Sequence, residues 1–152
     1  TTEYDDIIKK AVYNHNKAKI DDSVQGDALL FAKIVRDADK VDIYRVINED
    51  AMIDVFWYKE FEGLEIGEEA FNQFKEDHFV KYKYVKNNAD IITVFYGYIF
   101  DFNFPYALKL IRENEYLEKF AVRIKETFKS EKIDKKVEEI LEICNDYMNK
   151  NT

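Results

Sequence analysis

A polypeptide that reverses direction every few residues needs glycine and proline, and this chain holds four glycines and one proline in 152 residues. Strands joined by tight turns depend on residues that adopt left-handed backbone or arrive with φ already fixed. Their scarcity argues against a β-sandwich or barrel and for long helices joined by few connections. Apolar side chains make up 47% of the chain and aromatic ones 16%, enough for one aromatic-rich core at single-domain length without a disulfide or metal staple. No stretch approaches the roughly 20 apolar residues that a membrane span needs. The expectation is one all-α unit over residues 1–152, of seven or eight helices, with no membrane partner.

Thirty-one acidic residues against 23 basic ones give a formal net charge of −8. A surface that binds nucleic acid neutralises phosphates with a basic excess, so no nucleic-acid partner is expected. The field of such a chain favours cations, divalent metals included. A single cysteine has no partner within the chain and suits a reducing compartment, which implies a cytoplasmic location. The opening residues lack the basic-then-apolar profile of a signal peptide. Thr1 leads almost directly into a helical pattern, so the chain is expected to be processed or a piece of something longer. Richness in Lys, Ile, Asn, Tyr and Phe points to an AT-rich bacterial genome.

Apolar spacing near 3.6 residues predicts a helix over Tyr4 to Asn14, then a polar loop from Asn16 to Asp27, then a strong helix from Ala28 to about Ile47. Asn48 to Phe61 reads as another helix, although Val55 to Tyr58 also fits a short strand. Glu62 to Glu69, with two glycines, breaks the chain. A helix is expected over Ala70 to Val85, and another after Lys86, capped by Asn88 or Asp90 and running to about Phe100. Asn103 and Pro105 mark a further start, with an interruption near Asn114. Ile133 to Met148 forms the last helix, its stripe being Val137, Ile140, Cys144 and Tyr147.

Chemistry concentrates in KIVRDADKVDIYRV, Lys33 to Val46. Leu30, Ile34, Ala38 and Val41 define one apolar face there, widened by Phe31, Val35 and Val46. Asp42 and Arg45 fall inside that stripe, and charges seldom sit on a buried face unless paired. An Asp42–Arg45 ion pair is expected, or partners elsewhere in the core. Asp39 lies at the stripe's edge, where a side chain reaches a cleft. Asp37, near the opposite edge, is expected to pair with Lys33 four residues earlier. His15 continues the stripe of Ile8, Ala11 and Val12 and should point inward. His78 reads as structural, Cys144 as buried and inert, and Asp101 and Asn103 as turn and capping groups. No phosphate loop, nucleophile elbow or paired-cysteine zinc spacing occurs.

The order AVYNHNK, polar loop, LLFAKIVRDADKVDIYRV resembles the back half of the HD-domain metal-dependent phosphohydrolases. The resemblance is specific over residues 4–47, and residues 48–152 would be a helical extension. In that family an all-α core holds metal through a first His, an adjacent His-Asp pair and a final Asp in an "aDkl"-like segment. Asp39 matches the final Asp. His15 matches a histidine that serves a second metal or the substrate phosphate. The His-Asp dyad is missing, since the only histidines are His15 and His78 and neither precedes an Asp. The resemblance therefore implies a C-terminal fragment whose parent is a cytoplasmic, bacterial hydrolase. That parent would use a divalent metal on a nucleotide or other phosphorylated small molecule. A catalytic ion needs about three protein ligands, and Asp39 and His15 supply two, so the chain alone is expected to be inactive. An apolar face left open would promote homo-oligomers. The alternative is a self-contained helical interaction or regulatory module without metal chemistry.

Overall fold

The structure, a computed structural model, describes residues 2–152. Its first helix begins at a reciprocal cap. The Asp5 amide donates to the Thr2 hydroxyl, and the Thr2 amide donates to the Asp5 carboxylate. That cap opens α1 (Glu3–Asn14), followed by α2 (Gly26–Glu49), α3 (Met52–Val55), α4 (Glu68–Asp77), α5 (Asn88–Gly97), α6 (Pro105–Glu113), α7 (Tyr116–Phe128) and α8 (Glu131–Asn151). Two 3₁₀ turns, Tyr82–Tyr84 and Tyr98–Asp101, complete the order, and the described residues contain no strand. The all-α expectation holds. None of these helices is long and apolar enough to cross a membrane.

The core is built around α5, which is buried from Asn88 through Tyr96. A helix covered on every side belongs at the centre of a fold, and α4 and α8 lie against it. Two tyrosine hydroxyls in this core are satisfied by backbone carbonyls. Tyr44 of α2 donates to Phe95 at 2.7 Å, and Tyr96 donates to Leu117 of α7 at 3.0 Å. Phe56, Phe61 and Phe128 meet edge to face, with centroids 5.4 to 5.6 Å apart, a geometry that favours aromatic pairs. On α8, Ile133, Val137, Ile140, Cys144 and Met148 form the buried stripe. Burial, and then the Glu118 charge, pushes the Cys144 thiol pKa up.

Three boundaries differ from expectation. The helix expected from Asn48 to Phe61 is only the four residues of α3. Beyond it, Asn88 takes hold of the backbone: the Tyr58 amide donates to Asn88 Oδ1, while Asn88 Nδ2 donates to the Tyr58 and Glu60 carbonyls. The segment's polar groups are thus paired outside a helix, and Val55 to Tyr58 forms no strand. The helix expected to reach Val85 stops at Asp77, where His78 turns left-handed at φ 57° and its amide donates to Phe74. The His78 ring also bonds the Phe74 carbonyl and stacks on Phe100, with centroids 3.9 Å apart, a structural use as expected. α5 crosses close by, because a Cβ on Gly97 would lie 2.9 Å from the His78 carbonyl oxygen. Finally, α5 is capped by Asn87, whose side chain accepts from the Ala89 and Asp90 amides, rather than by Asn88 or Asp90.

The largest correction concerns α2. Its buried line is Ala28, Ala32, Arg36, Lys40, Tyr44 and Ile47. Leu30, Phe31 and Ile34, expected to be buried, are instead exposed, Ile34 by 45%. α1 packs chiefly against α2. It turns Ala11 and Asn14 inward and leaves Ile8 and Val12 in solvent. The small residues Ala11, Ala28 and Ala32 are all buried in this hairpin, and α1 adds no side chain to the main core, which starts on α2 at Val41 and Tyr44.

Candidate functional site

The three aspartates of the DADKVD segment have separate fates. Asp37 is buried, and its carboxylate accepts from the Asn103 amide at 2.9 Å, the Asn103 side chain at 2.9 Å and the Phe104 amide at 2.9 Å. These amides sit just ahead of α6, where Phe104 offers no side-chain oxygen, so α2 lends the cap. The expected Asp37–Lys33 pair is not formed. The carboxylate turns to a segment 66 residues on, where these donors satisfy a charge that would otherwise be buried alone. Asp42 pairs with Arg45 at 2.9 Å as expected, though both are exposed to solvent rather than set in a buried stripe, and Arg45 reaches on to Glu49 at 2.7 Å. Asp42 first, then Glu49, raise the guanidinium pKa. Asp39 is half-buried and has no hydrogen-bond or ion-pair partner among the described residues.

Asp39 lies beside a charged knot. Arg36 is 2% exposed and Lys40 5%, and both donate to one carboxylate oxygen, Asp101 Oδ2, at 2.7 and 3.0 Å. The Arg36 guanidinium also donates to the carbonyls of Asn14 at 2.9 Å and Lys17 at 2.6 Å. It therefore ties the end of α1 and the following loop to the Tyr98–Asp101 turn. Buried charges persist only when paired in this way. Tyr98 stands within reach of the same group. Burial first, then the charges of Tyr82, Asp39 and Asp101, pushes its hydroxyl up to about 12. Two cations thus share the single Asp101 carboxylate, and Asp39 is held by neither of them.

His15 follows the last residue of α1. It is half-buried rather than turned into a core, because Asn14 takes the inward place and bonds the Lys10 carbonyl and the Asp21 amide. The His15 Nδ1–H donates to the Val12 carbonyl, which leaves Nε2 as the nitrogen with a free lone pair. Since the Asn14 carbonyl touches Arg36, the end of α1 lies beside the middle of α2, one turn from Asp39. The two side chains share no hydrogen bond. Among the described residues no three His, Cys, Asp or Glu side chains converge as a metal cage.

On another side of α2, an open groove of about 720 Å³ runs between α2 and α6, its lining including Leu30, Ile34, Val41, Tyr106, Leu110 and Tyr116. Its charged lining residues are Asp37, Asp42 and Arg45, all with partners already. The Arg36–Lys40–Asp101 knot escaped the sequence analysis, although one signal was present. Two cations one turn apart on α2's buried line require an acid from elsewhere in the chain. No family model matches the chain, and neither a curated protein nor a solved structure is detectably similar to it.

Proposed function

We propose that the chain is the C-terminal part of an HD-type, metal-dependent phosphohydrolase acting on a nucleotide or other small phosphorylated molecule. The observation that carries this proposal is the unpartnered Asp39 carboxylate in the middle of α2, at the position the family's motif gives to a metal ligand. Its neighbours Asp37 and Asp42 are consumed by a helix cap and an ion pair, whereas Asp39 retains its full acceptor capacity. The free Nε2 of His15 suits a second-metal or phosphate contact. When bound, a divalent ion would polarise a phosphoryl group and acidify a water. Two donors fall short of the three that hold such an ion, so no catalytic step is assigned to this chain alone, and it is inactive by itself. The lone buried Cys144 agrees with a reducing, cytoplasmic setting.

Titration with Mn²⁺ followed by amide NMR tests the proposal. Paramagnetic broadening should centre on residues around Asp39 and His15, with weak affinity, and disappear in Asp39→Asn. Broadening that is unchanged in Asp39→Asn, or confined to surface acids elsewhere, rejects it. A second reading, a helical interaction module without metal chemistry, is favoured by the open apolar groove beside α6.

A further inference from the structure

We infer that the groove between α2 and α6 receives helix α1 of a second copy of this chain, in a reciprocal two-fold dimer. The inference rests on the interaction-module reading and names its partner. Four observations support it. The groove is apolar and open to solvent. α1 carries an unused apolar stripe of Tyr4, Ile8 and Val12, at i, i+4 and i+8, with Ile8 57% and Val12 54% exposed. Such a spacing is the pattern by which an amphipathic helix seats in a groove.

The lengths agree as well. The α2 wall of the groove, Leu30 to Arg45, is about 22 Å long at 1.5 Å per residue, and the twelve residues of α1, about 18 Å, fit within it.

Charge selects among partners. Against a chain of net charge −8, a partner recruited by electrostatics would be basic. The groove has nothing for it, because Asp37 is held by the Asn103 and Phe104 amides and Asp42 by Arg45. The occupant is therefore a helix with a neutral apolar stripe, and α1 is one that the chain itself provides. Exchange in both directions fills both grooves and closes the assembly.

Sedimentation equilibrium over a concentration series tests the inference, using the wild-type chain, Ile8→Glu and Ile34→Glu. Both residues are solvent-exposed, so circular dichroism should show unchanged helix content and melting. The wild type should dimerise, and each variant should raise the dissociation constant at least tenfold. Under oxidation, a mixture of Ile8→Cys and Ile34→Cys chains should cross-link into a heterodimer, with buried Cys144 inert. A wild-type monomer throughout, a dimer that survives either substitution, or no cross-link overturns the inference. One further titration, with a neutral amphipathic helical peptide bearing Leu at i, i+4 and i+8, separates the two levels. If the chain is monomeric and the peptide shifts the Ile34 and Leu110 methyl signals, the second copy is rejected and docking stands. If the chain is monomeric and the peptide shifts nothing, both fall.

Discussion

Asp37 and Asp39 are separated by one residue on the same helix, yet they should respond oppositely to truncation. Asp37 is itself buried and accepts from the Asn103 and Phe104 amides, so truncating it removes hydrogen bonds to a charged group. Asp37→Ala should therefore cost about 2–3 kcal/mol in urea unfolding. Asp37→Asn, which keeps one oxygen, should cost less. Asp39→Ala should stay within about 0.5 kcal/mol of wild type, as substitutions that break no contact do. Equal losses at the two positions would mean that Asp39 is structural and would remove its claim to a ligand role. Sequence spacing disclosed the Asp42–Arg45 pair because its members are three residues apart on one helix. It could not disclose the Asp37 cap, whose donors lie 66 and 67 residues away.

α2 shows what hydrophobic periodicity detects and what it misses. The existence of the helix and its approximate ends were legible from Ala28 to Ile47, as were the break near Asn114 and the stripe of α8 as far as Cys144, beyond which Met148 rather than Tyr147 is buried. The inward face was not. The eye follows Leu30, Ile34 and Val41, whereas the fold buries Ala28, Ala32, Arg36 and Lys40, two of them charged and acceptable only because Asp101 and three carbonyls receive them. The end of α4 was similarly hidden, since apolar spacing continues past His78 and only its left-handed backbone shows the stop. The Asp101 knot makes α1 conditional on a carboxylate from a distant turn. Asp101→Asn should weaken folding by about 1.5–3 kcal/mol, the range for hydrogen bonds to charged groups, with a half-exposed acceptor placing it in the lower part. Amide exchange should accelerate in α1 far more than in α5, because elements with few core contacts open locally. Uniform acceleration would show that α1 and the core unfold together.

The molecule as a whole should be sensitive to alkali. Burial holds the Tyr44 and Tyr96 hydroxyls well above their ordinary pKa, and Tyr98 reaches about 12, against about 10 for an unfolded tyrosine. Between those values the native state keeps protons that the unfolded state releases, so stability is intact below about pH 10 and falls as pH rises towards 12. Cys144, raised by burial, contributes with the same sign from a lower starting pH. Unfolding free energy should therefore decline above about pH 9, and part of the tyrosinate absorbance should appear only as helical ellipticity is lost. A smooth titration completed while the helices persist would contradict the burial of these groups. At this scale the sequence was most readable, because scarce glycine and proline leave little besides helices. How those helices divide into a main core and an α1–α2 hairpin was not, since the division depends on which side of α2 faces inward. That division has a consequence during synthesis. Arg36 and Asp101 are 65 residues apart, so at about 5–20 residues per second a ribosome delivers the carboxylate about 3–13 seconds after the guanidinium. For that interval the Arg36 guanidinium has only the carbonyls at the end of α1 and in the loop after it to receive it, and the hairpin is not yet neutralised.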